Sequence, residues 1–234
     1  MLWALTLKDL PGLGEMRLHE LNNGTYKGIP YKVESISDIK DDDIDKLPRE
    51  SMLALRYLDG KPFSRAELEE FAHKYFHLFE PYKKCELVGS YRRGKEEMGD
   101  GDVLVLEPKR RVLQESENVK IINMGTHKIR ALFRLHGNIP VGSAKINPHI
   151  ADKHHRWIPV DVVFTDELHY PAALLHYTGS REFNIHMTMH CAKLGIKLNE
   201  YGIWRNGKMI PVTSEKDIFK KVKKPYIKPE DRSS

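Results

Sequence analysis

Val88-Gly89-Ser90-Tyr91-Arg92-Arg93-Gly94, followed by Gly99-Asp100-Gly101-Asp102-Val103-Leu104-Val105, is the stretch on which the reading of this chain turns. Val103 to Leu106 is an apolar run of buried-strand type. Asp100 and Asp102 stand two apart at its head, and the two-residue period of a strand puts both carboxylates on one face. Like charges held that close repel and raise a pKa unless a cation neutralises them. Beside an apolar run an unpaired charge is also costly to bury. A divalent cation resolves the conflict. Oxygen-only ligands suit Mg²⁺ or Mn²⁺, with water and substrate phosphates in the remaining positions.

Gly89 and Ser90 lie just before a turn. Small residues let backbone N–H groups approach a phosphate, and the serine hydroxyl adds a donor. An arginine beyond them, such as Arg93, can fork onto triphosphate oxygens. Asp161 is the single charge in the apolar run Val160-Asp161-Val162-Val163-Phe164. Alone it would read as a solvent-exposed strand-edge residue; beside the Asp100/Asp102 pair and the Gly-Ser-basic loop it reads as a third metal ligand. The set fits a two-metal in-line displacement, with one ion lowering the pKa of an attacking hydroxyl and the other holding a triphosphate.

Outward from this centre, Ser64 with Glu67 three residues on forms a capping box, and Leu68, Phe71, Ala72, Tyr75, Phe76 and Phe79 follow at helical spacing. After Pro81 the pattern turns to strands, at 86–89, at 103–106 ended by Pro108, at 120–123 and at 160–164. Gly137 to Trp157 reads as loop or hairpin. One helix before a cluster of strands argues for α+β. Upstream, Leu10-Pro11-Gly12-Leu13-Gly14 precedes a helical pattern that Asn22-Asn23-Gly24 stops, and Met52, Leu53, Leu55 and Leu58 mark another short helix. Downstream, Pro171 to Tyr177 is helical, a second helix runs from Thr178-Gly179-Ser180 to Lys193, and Asn206-Gly207 between short apolar runs marks a hairpin. Three parts follow: 1–62, helical; 63–167, an α+β part that holds the paired aspartates; and 168–234, a second α+β part, which the family resemblance given below implies selects the nucleotide.

The 234 residues carry a net charge of +5, unevenly: −3 over 1–50, +2 over 51–168 and +6 over 169–234. A basic C-terminal third points to an anionic partner. The longest apolar runs fall short of the roughly 18 residues of a membrane span, and the first residues lack the basic start and small-residue cleavage site of a signal peptide. Two cysteines, Cys85 and Cys191, make no disulfide framework and are expected as reduced thiols. An intracellular protein is expected, in the nucleus of a eukaryote or otherwise in cytoplasm or virion. His154-His155 near Asp152 reads as a solvated loop rather than a transition-metal site, because no further ligand is suitably spaced.

GSYRRG, GDGDVLV, the isolated Asp161 and Tyr177-Thr178-Gly179-Ser180 with Phe183-Asn184 resemble the X-family DNA polymerases, and the resemblance runs through Pro211–Phe219 and Tyr226–Arg232. It implies an α+β nucleotidyltransferase palm between a helical hairpin-helix-hairpin part and a C-terminal α+β part. The implied activity is template-directed addition of dNTPs to a primer 3′-OH, filling short gaps in DNA repair such as base excision repair. The implied partners are gapped or primer-template DNA and dNTP, with two Mg²⁺ or Mn²⁺ ions as cofactors. A monomer is expected, with no membrane partner.

Position by position, the resemblance implies that Asp100 and Asp102 bind both divalent ions and that Asp161 binds the catalytic one. Gly89, Ser90 and Arg93 would hold the triphosphate, with Gly99 close by. Tyr177 and Gly179 would press against the sugar, Arg181 would lie near the incoming base, and Asn184 would touch its minor-groove edge. Helix-turn packing and capping is the competing reading for Tyr177 and Asn184. Gly12 and Gly14 would offer backbone N–H groups to DNA phosphate, with Lys128 and Thr188 as further DNA contacts. The carbonyls of Lys8, Leu10 and Leu13 would surround Na⁺ or K⁺.

The sequence also departs from the family pattern. No stretch matches the amino-terminal lyase domain of relatives, so no lyase activity is expected. Thr188 and Pro159 stand where relatives carry arginines, and Gly101 is small between the two aspartates, so lower fidelity is expected. Lys61 and Arg65 are candidates for a second triphosphate contact. A template-independent terminal transferase is the rival enzyme, though the hairpin around Asn206-Gly207 carries no insertion that would block a template. A non-catalytic DNA-binding module is the other rival; three clustered carboxylates argue against it.

Overall fold

The computed structural model describes residues 6–79, 84–106, 113–138, 140 and 146–232. Pro81 and Pro108, expected to mark element ends, lie outside them. In chain order the regular elements are α1 (Glu15–Asn23), α2 (Arg49–Tyr57), β1 (Phe63–Ser64), α3 (Arg65–Tyr75), β2 (Lys84–Leu87), α4 (Gly89–Arg92), β3 (Glu97–Met98), β4 (Gly101–Leu106), β5 (Val119–Met124), β6 (Lys128–Arg134), β7 (Trp157–Thr165), α5 (Tyr170–Thr178), α6 (Arg181–Lys193), β8 (Ile196–Asn199), β9 (Gly202–Arg205), β10 (Lys208–Ile210) and α7 (Glu215–Lys221). The α+β class expected from the sequence is the class observed.

The chain divides into two compact units. One draws on residues 1–63, 114–125 and 129–160, the other on 64–113, 126–128 and 161–234. Among the described residues the main sheet has strand order β2-β4-β7-β6-β5.

In the first unit α1 starts at Gly14 and stops where Gly24 adopts φ +69°, its N–H returning to the Glu20 and Leu21 carbonyls. A core of Leu7, Leu10, Leu21, Ile29, Ile44, Leu55 and Trp157, among others, holds this unit together. β5 and β6 pair antiparallel with a bulge between Ile121 and Asn123. β6 was absent from the sequence reading: Lys128-Ile129-Arg130-Ala131 alternates as a half-buried strand should, but its charged positions masked the run. The described residues 146–156 form no strand, in keeping with the loop reading, yet they are firmly tied. Asn147 donates to the Leu55 and Leu58 carbonyls at 2.7 and 2.8 Å, and the His149 ring meets Asp41 and the Ile36 carbonyl at 2.7 and 2.8 Å. Arg156 is buried against Asp59 at 3.0 Å and bonds the Lys61 and Pro62 carbonyls.

In the second unit the Ser64/Glu67 capping box opens α3 as expected. Below the candidate site, Val88, Leu104, Val163 and Ala173 form a small core with Tyr170, Leu174 and Tyr177 around it. The C-terminal part is a separate α+β layer. β8, β9 and β10 form an antiparallel sheet, and Ile196, Ile203, Ile218, Phe219 and Val222 bury its inner side with α6. Asn206 (φ +51°) and Gly207 (φ +75°) make the expected two-residue hairpin turn. β8 is a further strand the sequence reading omitted, its Ile196-Lys197-Leu198 too short to stand out beside the helix before it.

Candidate active site

β4 is the platform. Val88 N–H donates to the Asp102 carbonyl at 2.8 Å, extending the β2–β4 ladder to the loop and fixing Gly89 over the Asp102 side chain. Gly89 opens the single helical turn α4, so the expected turn is a helical one. Its φ is +58°, and a Cβ added there would fall 2.0 Å from Asp102 Oδ2. Only glycine permits this approach. Gly99 and Asp100 occupy the bend that leads into β4.

Asp161 is buried, at 5% exposure within a strand covered on both faces, which rules out the exposed-edge reading, and Asp102 is half-buried. Burial first, then the negative charges of Asp100 and Asp161, push the Asp102 carboxyl up to about 7; Lys128 and Arg93 pull the other way. The three carboxylates therefore share one electrostatic neighbourhood, as expected. Lys128 Nζ lies 2.5 Å from Asp161 Oδ2. This lysine, expected at DNA, is the counter-ion of a candidate metal ligand. Among the described residues no group of three acidic, histidine or cysteine side chains stands ready-made around a metal position. The donor chemistry nonetheless fits a hard divalent cation: oxygen ligands only, and a desolvated carboxyl driven towards its neutral form for want of positive charge.

Arg93 faces the same centre. Its guanidinium donates to Ser90 Oγ at 2.8 Å and to the Thr178 carbonyl at 2.5 Å. Burial lowers its pKa against the opposing pull of Asp102 and Glu182. Nε is buried with no hydrogen-bond partner among the described residues, so a cationic fork is held in place with capacity to spare. Tyr177, half-buried, is pushed up to about 12, first by burial and then by negative charge that includes Asp161 and Asp102. Gly179 (φ +66°) leaves room for Arg93, whose Nη1 would stand 3.1 Å from an added Cβ.

Other expected residues sit elsewhere or are otherwise engaged. The Asn184 amide donates to the His176 carbonyl at 2.7 Å, the capping role that competed with base contact. Arg181 and Thr188 are exposed on α6. Arg65 donates to the Tyr91 carbonyl at 2.9 Å and stacks on the Tyr91 ring, bracing the loop from behind. In the other unit Gly12 adopts φ +83° and Gly14 caps α1, while the Leu10 carbonyl accepts from Leu13 N–H at 3.3 Å, closing the turn; Lys8 lies in the short 3₁₀ turn before it.

The sequence reading gave no role to Arg92, Glu215 or Arg232. Arg92 forks onto Glu215 at 2.7 and 3.1 Å and donates to Thr178 Oγ1 at 2.6 Å. Arg232, 1% exposed, reaches the same carboxylate at 2.7 Å and lies over the Phe183 and Phe219 rings. Burial alone would raise the Glu215 carboxyl, but bonds from Arg92 and Arg232 hold it below its usual range.

Residues 64–145 match the family model of the DNA polymerase beta palm, and residues 173–233 that of the DNA polymerase beta thumb. The chain belongs to the family X DNA polymerases. Rat DNA polymerase lambda is 28% identical to it over 210 residues, covering 82% of this chain and 34% of the relative. The DNA polymerase/3′-5′ exonuclease PolX of Bacillus subtilis is 26% identical, covering 72% and 27%. This family X chain thus spans about a third or less of the length of these two proteins. The repair DNA polymerase X of African swine fever virus is 27% identical, covering 64% of the chain and 82% of the viral protein. The fold matches that of Leishmania infantum polymerase beta, solved as a ternary P/T complex, with a TM-score of 0.74 at 20% identity, covering 100% and 98% of the two chains.

Proposed function

We propose that this protein is a template-directed DNA polymerase that adds dNTPs to a primer 3′-OH and fills short gaps in DNA repair. The observation that carries the reading is the Asp102 carboxyl, raised by desolvation and then by Asp100 and Asp161, and roofed by a glycine that admits no Cβ. Two divalent cations, Mg²⁺ or Mn²⁺, held by Asp100, Asp102 and Asp161, would supply Lewis acidity for the attacking hydroxyl and charge neutralisation for the triphosphate. The chain's own residues do the rest. Gly89 and Ser90 present the phosphate loop, and Arg93, held by Ser90 and the Thr178 carbonyl, offers its fork to the triphosphate. Tyr177 and Gly179 bound the sugar. The two-residue turn at Asn206-Gly207 leaves no long loop across a template path, which favours template use over terminal transfer. With Thr188 exposed and Pro159 beside Val160, two arginine contacts of relatives are missing, in line with lower fidelity.

The test is primer extension on a one-nucleotide-gapped duplex with Mg²⁺ and single dNTPs, wild type beside Asp161→Ala. Extension with the template-matched dNTP alone, abolished by the substitution, is the expected result. Extension indifferent to template would replace this reading with terminal transfer. DNA binding without any extension would leave only a binding module.

A further inference from the structure

We infer that the C-terminal sheet carries a second anion site, built by Arg205, Lys208 and Lys221, which takes a phosphodiester of the DNA backbone. The three side chains line one concavity of about 450 Å³ with Asn206, Met209 and Ile210. The register of the hairpin puts Arg205 of β9 directly opposite Lys208 of β10. Opposed residues of an antiparallel pair share a face, and like charges so placed repel. The third cation, Lys221, comes from the last turn of α7. None of the three makes an ion pair among the described residues. Of the two acids in that helix, Asp217 accepts from Thr213 N–H at 3.4 Å at the helix start and Glu215 is claimed by Arg92 and Arg232.

A folded protein that gathers three cations around one hollow, with no carboxylate among the lining residues, has built a receptor for an anion. The hollow has room for a phosphate together with its water, and Met209 and Ile210 supply its apolar side. The surroundings favour a polyanion over a free ion: Lys220, Lys223 and Lys224 extend the positive surface along the chain, and residues 169–234 carry +6. Guanidinium and ammonium groups at exposed positions bind backbone phosphate without reading sequence.

This inference rests on the polymerase reading, and the test separates the two. Arg205→Gln, Lys208→Gln and Lys221→Gln are combined, and duplex binding is followed by fluorescence anisotropy from 50 to 200 mM KCl. Loss of one phosphate contact lowers the salt slope, log K against log [salt], by about 0.9, and weakens binding severalfold at 100 mM without regard to sequence. Thermal melting without DNA should be unchanged or higher, because a repulsion has been removed. An unchanged slope and affinity would overturn the site while wild-type binding and extension left the polymerase reading intact. Failure of the wild type itself to bind or extend DNA would strike that reading instead. If the variant bound DNA as before but lost affinity for inorganic phosphate or tripolyphosphate, the ligand would be a free phosphate and the DNA assignment would be wrong.

Discussion

Replacing Asp102 by asparagine should make the metal-free protein more stable while abolishing the proposed activity. Burial and two neighbouring carboxylates raise the Asp102 carboxyl from 3.8 to about 7. At about 1.36 kcal/mol per pH unit this rise is a penalty of about 4 kcal/mol on the folded state once the group is ionised. The folded protein holds this proton more tightly than the unfolded chain, so the stabilisation is full below pH 4 and is lost as pH rises to about 7. Asparagine is isosteric and carries no charge, so it escapes the penalty. For a chain of this size about 1 kcal/mol is worth roughly 2–4 °C of Tm, so Asp102→Asn should melt about 10 °C above wild type at pH 8 in EDTA, with little difference at pH 4. The assay is circular dichroism melting at fixed ionic strength. A variant that melts with or below wild type at pH 8 would refute the picture of a carboxylate held against its own electrostatics. Divalent ions should raise the wild-type Tm at pH 8 and leave that of the variant nearly unmoved.

Gly89→Ala places a methyl 2.0 Å from Asp102 Oδ2 at a φ of +58°, so it should cost about 1–3 kcal/mol of stability and most of the extension rate, read by melting and single-turnover kinetics. Glu215→Gln leaves the buried Arg232 and the half-buried Arg92 without their anion, a loss of about 3–5 kcal/mol for a broken buried pair, measurable by urea unfolding. Because the Glu215 carboxyl lies below its usual range, its stabilisation is present above the ordinary glutamate pKa and fades as pH falls through the lowered value; the wild type should lose that increment on acidification and the variant should not. Lys128→Gln removes one of the two charges that hold the Asp102 carboxyl down, so the acid limb of the pH–rate profile should move to higher pH; an unmoved limb would show that Lys128 does not govern this group.

The sequence made the chemistry more legible than the sheet. Paired aspartates at a strand head and a Gly-Ser-basic loop are local patterns, and the structure brings them together through one β2–β4 ladder. β6 escaped because Lys128, Arg130 and Arg134 break up its apolar positions. Partnerships escaped for a different reason. Lys128–Asp161 spans 33 residues of sequence and Arg92–Glu215 spans 123, and no periodicity encodes which of many exposed cations a buried carboxylate will choose. His149 was unremarked for the same cause, since its two hydrogen-bond partners lie more than a hundred residues upstream.

The Arg92–Glu215–Arg232 cluster also has a meaning in time. The turn that presents Gly89, Ser90 and Arg93 is latched by a carboxylate 123 residues further along the chain, and that carboxylate by an arginine 17 residues beyond it. Closing so long a loop is entropically slow. During synthesis the Gly89–Arg93 turn emerges well before the carboxylate and the arginine that clasp it. A nascent or truncated chain that lacks the segment around Arg232 would hold its three carboxylates beside an unfastened loop, and on the proposed function would grip a triphosphate poorly.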